Sequence, residues 1–421
     1  MTPEIKQRIE QIRRGEVPEG YVKKRKVVIP QQWGLPQIKD IASISSGSTP
    51  NRNNSEYWNG NIAWVTTGEL SSGHVNHTSE LITVKAVKET KMRIYPQGTL
   101  LMAMYGQGKT RGTVAILEID AAVNQACAAI TVKDGKSKFL FYQLKNSYQD
   151  IRKLSNTGNQ ENLNADIIKT YQVPWAPDEE QERISTILTT QDKVIKLKEK
   201  RLAEKQRQKK YLMQQLLTGK KRLPGFSEEW KKVKIGSFIK EIDERSTVNN
   251  QYEILSVTKN GMVFQSSHFN KQIASENNVG YKVVRRGNLA FSTMNLWMGS
   301  LDTLRICDTG IVSPAYKVFE FNQSLIVVNF AENYMKSAEM IWLYKANSEQ
   351  GASIVRRNLD LQALLNSEVA LPDISEQTAI AEVLSAADHE IDLLRHDIEQ
   401  EKQKKKALMQ LLLTGIVRVK T

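Results

Sequence analysis

Two long stretches of the chain place apolar residues at alternating three- and four-residue steps, the spacing of one face of an α-helix. The later stretch carries Ile380, Leu384, Ala387, Ile391, Leu394, Ile398, Leu408 and Leu412. The earlier one carries Ile184, Leu188, Ile195, Leu202, Leu212 and Leu216 at matching positions. Neither holds Pro or Gly before a closing Thr-Gly, at Thr218-Gly219 and Thr414-Gly415. Each glycine suits a helix C-cap, and Pro177 and Pro372 stand just ahead of the two starts, where proline is tolerated. Roughly 38 residues at about 1.5 Å each predict helices some 55–60 Å long.

The two stretches are copies of each other. They align without a gap at an offset of 388 − 192 = 196, pairing Glu180 with Glu376, Gln181 with Gln377 and Asp192 with Asp388. Their ends repeat almost verbatim, Leu212-Met213-Gln214 with Leu408-Met409-Gln410. A weaker echo precedes each domain: Arg25 stands eight residues before Trp33, as Arg222 does before Trp230. The repeating unit is a basic patch, a Trp entry, a globular domain and a long helix. Such helices pack as a coiled coil, and two in one chain most simply lie antiparallel with approximate two-fold symmetry. A generic dimerisation helix is the plainer alternative, but an internal duplication lets the chain supply both partners itself. A short helical stretch with Ile5, Ile9 and Ile12 is expected to pack beside the end of the second long helix.

Outside the helices the period shortens. Residues 98–106, 112–117 and 124–132 read as strands, with counterparts for the first and third at 287–295 and 313–321. The expected fold is α+β: two mixed α/β domains separated by two long antiparallel helices, with an internal pseudo-two-fold repeat. The boundaries are an arm at 1–30, a first domain at 31–176, a first long helix at 177–222, a second domain at 223–372 and a second long helix at 373–421. The scaffolds look related while the loops differ, as two recognition tasks would need.

Charge then narrows the partner. The chain has 59 Lys+Arg against 46 Asp+Glu, a formal charge of +13. That excess favours an anionic partner, nucleic acid first. Cys127 and Cys307 are the only cysteines, too few for a disulfide framework or a Cys-rich metal site, and they fit a reducing compartment. The N-terminus is charged and no apolar run approaches a membrane span, so a cytoplasmic location without membrane contact is expected.

Several loops offer groups that read base edges or phosphates. The first domain presents Thr49, Asn51 and Arg52 in GSTPNRNN, Thr66 and Thr67 in WVTTGEL, Tyr105, Gln107, Lys109 and Arg111 in YGQGKTRG, and Asn159 and Gln160 in an amide-rich run. The second presents Asn295 and Trp297 in STMNLWMGS, and Arg356, Arg357 and Asn358 in VRRNLD. Any one of these loops also reads as a solvated turn; their recurrence in both domains is what favours DNA. AMYGQGKT, residues 103–110, imitates a phosphate loop, but a β-prone segment follows it where a helix is required. No Pro-Pro pair of amino-methyltransferases, no nuclease constellation and no nucleophile elbow occurs. His74 and His77 alone are a weak metal pair, so no metal site is expected.

Three motifs carry a resemblance: GSTP…EYWNGNIAWVTTGEL at 47–70, P-x-x-EQ-x-x-I at 177–184 with ISEQTAI in the second copy, and LMQ-x-LLTG-x-x-R in both. Over essentially the whole chain they resemble the DNA specificity subunits of type I restriction-modification systems, although the second domain lacks a clear GSTP…EYW segment. The resemblance implies a non-catalytic, phage-defence subunit whose two target recognition domains each read half of a bipartite, asymmetric site on double-stranded DNA. The helices would set the spacer and dock two methyltransferase subunits, through Ile184, Leu188, Ile195, Leu202, Leu212, Ile380, Leu384, Ile391, Ile398 and Leu408. S-adenosylmethionine, ATP and magnesium would sit on the methyltransferase and restriction subunits, none on this chain. From Lys193 to Arg222 there are twelve Lys/Arg against Glu199 and Glu204, read as a solvated face or as one turned to DNA or an acidic partner.

Overall fold

The computed structural model describes residues 2–106, 108–154, 162–259, 261–268, 277–350 and 357–419. The chain divides into two compact units, residues 1–198 with 397–421, and residues 199–396. The two long helices run Asp178–Leu216 and Ile374–Leu413, 39 and 40 residues, so each contributes to both units. Gly219 and Gly415 follow their ends with φ of +67° and +72°, and each lies under a tryptophan. A Cβ on Gly415 would approach Pro30 to 2.5 Å, so glycine is required there for space as well as for φ.

In the first unit a five-stranded sheet runs in the spatial order Ala42–Ser46, Cys127–Val132, Leu100–Ala103, Val114–Leu117 and His74–Val75. The first three pairings are antiparallel and the last is parallel. Because strand side chains alternate, this sheet is buried on both faces. Leu100, Met102, Ala128 and Ile130 meet Phe139, Leu140, Ile184, Leu188 and Leu412 on one face. Leu101, Ala103, Ala115 and Ala129 meet Val65, Leu70 and Tyr95 on the other.

The second unit repeats the plan. Its strands lie in the order Ile239–Ile242, Tyr316–Phe321, Leu289–Ser292 and Leu301–Thr303, all antiparallel. Leu289, Phe291 and Phe319 pack with Ile380 and Leu384, while Ala290 and Val318 face Leu255 and Val284. The strand order of the first four members is therefore the same in both domains. The expected strands at 98–106, 112–117, 124–132, 287–295 and 313–321 all occupy this shared core.

Within each unit the two helical segments run antiparallel, because partner numbers fall on one as they rise on the other. The first unit pairs Asp192 with Lys405, and Lys198 with both Asp397 and Glu401. The second pairs Lys205 with Glu390 and Lys209 with Asp388. The Asp192–Lys405 and Asp388–Lys209 pairs are the same contact at the offset of 196. These bonds also account for part of the basic excess of the first helix: Lys198, Arg201, Lys205 and Lys209 face carboxylates of the second. Lys193, Lys196 and Lys200 remain exposed.

The apolar stripe expected to dock partners lies inside the chain. Ile184, Leu188, Ile380 and Leu384 are at most 1% exposed, and Ile195, Ile391 and Ile398 are buried too. Leu202, Leu212 and Leu408 are partly buried, the last two against the cores of their units. That expectation is corrected: the stripe is consumed by packing against the chain's own domains and helices, which leaves only outward faces for other subunits. The arm behaves as expected. Helix Pro3–Arg13 sends Arg8 to the Ile416 carbonyl, and Tyr21 donates to the Gly415 carbonyl at 2.7 Å, just past the second helix.

Hydrogen bonds from Lys198, then Gln191, hold the Glu401 carboxyl down to about 2, well below the usual carboxylate range. A depressed carboxyl stabilises the fold fully above its unfolded pKa and loses that contribution as pH falls toward its folded one. Wild type is therefore expected to exceed Glu401→Gln in urea stability by a constant margin above about pH 5. That margin should shrink steadily from about 4.5 toward 2; an unchanged margin at pH 3 overturns the assignment.

Candidate nucleic-acid interface

The GSTPNRNN loop follows the edge strand of the first sheet and is fixed largely by its own side chains. Thr49 donates to the side chain of Gln125. The Asn51 side-chain oxygen accepts from the Asn53 amide at 3.0 Å, and its carbonyl accepts from the Trp58 indole at 3.2 Å. Arg52 forms a two-pronged ion pair with Glu80, and its guanidinium lies 4.0 Å from the Trp58 ring centre and 4.9 Å from that of Trp64. The Glu80 hydrogen bond raises the arginine above its ordinary range and lowers the carboxyl. Arg52 thus staples the loop to strand Glu80–Ile82, with its fork engaged by a carboxylate.

Thr66 caps the short helix Thr67–Ser72. Its amide and hydroxyl both donate to Glu69, at 2.7 and 3.2 Å, and Thr67 is the helix's first residue. Glu69 also accepts from the amide and hydroxyl of Ser79, at 2.7 and 3.1 Å. Thr66 thus holds local structure.

The loop joining strands Leu100–Ala103 and Val114–Leu117 presents Tyr105, 41% exposed, and an exposed Lys109. Arg111 is 7% exposed. The loop leads into a strand, so no helix N-terminus faces a bound phosphate here. Gln107, Asn159, Gln160 and Arg356 lie outside the described residues.

In the second domain the structure joins two segments that are far apart in sequence. Asn295 opens the turn Leu296–Met298, and Trp297 within it lies 5.9 Å from the Arg357 guanidinium. The Arg357 amide donates to the Met294 carbonyl at 3.4 Å, and its guanidinium to the Ser348 carbonyl at 2.6 Å. The Trp297 indole nitrogen and the Arg357 Nε are buried without a partner among the described residues. Asn358 is exposed on strand Arg357–Leu359, opposite Glu349. Trp297 and Arg357 therefore form one cluster, with Asn295 at the start of the same turn.

Other chemistry is constrained. His74 meets Glu118 at 2.8 Å and His77 meets its neighbour Asn76 at 2.7 Å. Among the described residues no group of three His, Cys, Asp or Glu could hold a metal ion. Burial pushes the Cys127 thiol up to about 12, so it is no thiolate nucleophile near neutral pH. No helix among the described residues is long and apolar enough to cross a membrane. Sequence reading missed Tyr148 and Arg152, which grip the carbonyls of Gly108, Lys109 and Arg111, and Glu80, which engages Arg52. Their sequence neighbourhoods carry no signal for these long-range bonds.

The profile of the Type I restriction modification DNA specificity domain matches the chain twice, at residues 30–206 and 227–403. The Type I restriction enzyme MjaIX specificity subunit of Methanocaldococcus jannaschii is 34% identical over 178 residues, 41% of this chain and 40% of the relative. The putative type I restriction enzyme MjaX specificity subunit of the same organism is 24% identical over 93% of this chain and 95% of its own length. Among solved structures, the type I restriction-modification S subunit from M. genitalium superposes with a TM-score of 0.53 at 12% identity, covering 93% of this chain and 98% of that one. A chain solved in work on complex assembly and conformational transition of the type I R-M system gives 0.58 at 14% identity, covering 92% and 99%. Those likenesses carry the fold, and the doubled profile carries the family: the chain belongs to the DNA specificity subunits of type I restriction-modification systems.

Proposed function

We propose that each domain reads one half of a bipartite, asymmetric site on double-stranded DNA, and that the chain itself performs no chemistry. The observation that carries this reading is the contrast between the domains: the same four-strand order supports different loop sets. The first domain offers the Arg52-stapled loop and the 105–112 loop, the second the Trp297–Arg357 cluster with Asn295 at the start of its turn. A shared scaffold with divergent loops reads two different sequences from one architecture.

Two methyltransferase subunits would dock on outward faces of the long helices, bringing S-adenosylmethionine and flipping an adenine for modification. Restriction subunits would add ATP- and magnesium-dependent translocation and cleavage, in the cytoplasm. The helices would set the spacer between the half-sites. Sequencing the methylated bases of cells with and without the gene tests the core of this reading. The expected result is one interrupted motif with two unlike halves, present only with the gene. A contiguous or palindromic motif, or no difference, overturns it.

A further inference from the structure

We propose that Arg152 and Tyr148 are positioning residues for DNA reading, clamping residues 108–112 in a preformed shape without touching DNA themselves. This rests on the reading of the first domain as a DNA-recognition domain. A surface loop normally satisfies its carbonyls with water. Here three are taken by two side chains of one short helix, Tyr148–Lys153. Arg152 donates to the carbonyls of Gly108, at 2.8 Å, and Arg111, at 2.9 Å. Tyr148 donates its hydroxyl proton to the Lys109 carbonyl at 2.7 Å.

The two side chains also fix each other. Arg152 donates to the Tyr148 oxygen at 3.0 Å, and its guanidinium lies 5.3 Å from the ring centre. The backbone has adapted to the clamp: Gly112 has φ of +82°, and a Cβ there would come within 3.2 Å of the Arg152 side chain. The result is a segment, residues 108–112, whose backbone is held while Tyr105 and Lys109 stay exposed. Ordering such a loop before binding removes an entropic cost that would otherwise blur discrimination between sites.

The experiment uses the assembled methylation complex and the motif found for wild type, with Arg152→Ala, Arg152→Lys and Tyr148→Phe. For Arg152→Ala, discrimination against single-base changes should fall about tenfold in one half-site only, the other half serving as internal control. The slope of log affinity against log salt should not change, because no phosphate contact is lost. Lysine lacks the planar fork whose two nitrogens reach separate carbonyls, so Arg152→Lys should behave like Arg152→Ala. Tyr148→Phe, which removes one bond and leaves the ring, should show a smaller loss in the same half-site; it decides the matter if the arginine variants do not fold. Full retention of discrimination overturns the clamp. Rescue by lysine with a salt slope reduced by about one would instead make Arg152 a phosphate contact. Equal loss in both half-sites would make it a general stability residue. If wild type shows no bipartite motif, the reading of the domain fails instead of the clamp.

Discussion

Arg222→Met is expected to destabilise the second unit by about 3 kcal/mol, and Arg418→Met to cost the first unit the same. Glu180 and Glu376 occupy equivalent places near the starts of the two long helices, and each carboxylate is at most 1% exposed. Arg418 grips Glu180 through two bonds of 2.8 and 2.9 Å, and the Trp33 indole donates to it at 2.9 Å. Arg222 grips Glu376 at 2.5 and 2.6 Å, with the Trp230 indole at 3.1 Å. In each unit this clasp ties the residues following one helix to the first turns of the other segment. Removing the arginine leaves a buried carboxylate with neutral donors only, the Trp230 indole for Glu376 and the Trp33 indole with the Val419 amide for Glu180, which is the costly way to break a buried pair. Replacing both charges, as in Arg222→Met with Glu376→Leu, should recover much of the loss, because an apolar pair pays no desolvation of charge. Urea unfolding followed by circular dichroism measures all of these. Losses below about 1 kcal/mol for both arginine variants would show that the clasps decorate the fold and do not hold it.

The clasps also mark what the sequence could and could not reveal. Arg222, Trp230 and Glu376 were each visible as members of the repeat, since Arg25–Trp33 and Arg222–Trp230 share a spacing and Glu180 pairs with Glu376 by offset. That they converge on one buried carboxylate was not visible, because the contact closes over 146 residues or more. In the first unit, moreover, the gripping arginine is Arg418 and not Arg25. The long helices and core strands were legible because period 3.6 and period 2 are written locally. The spatial order of strands was not, since it depends on pairings between distant segments. The same limit misassigned the apolar stripe, which marks a buried face without saying what buries it. It also hid the partners of Arg52: Glu80, Trp58 and Trp64 surround its guanidinium. The excess of basic residues on the first helix reads in sequence as a solvated face or as one turned to DNA or an acidic partner; Glu390, Asp388 and Asp397 on the second helix answer part of it.

Lengthening both long helices by four residues is expected to widen the spacer of the methylated site by about two base pairs and leave both half-sites unchanged. Four residues add about 6 Å of helix, against about 3.4 Å per base pair. They also add close to one turn, keeping the apolar stripe within about 40° of its original phase. The insertions belong between Lys198 and Glu199 and between His396 and Asp397, at the unit boundary in each helix's sequence. Placed there, they leave Asp192–Lys405 and Lys198–Glu401 intact in one unit, and Lys205–Glu390 and Lys209–Asp388 in the other. An insertion in one helix alone has no such neutral solution. Antiparallel partners advance residue for residue, so four unmatched residues must either slip one set of ion pairs by about 6 Å or bulge out of the helix. The single insertions should therefore weaken methylation or leave the spacer mixed, and the matched pair should restore activity at a new, uniform spacing. Sequencing methylated bases from cells carrying each variant reads the spacer directly. A matched pair that methylates the original spacing with full activity would mean that something other than these helices measures the distance.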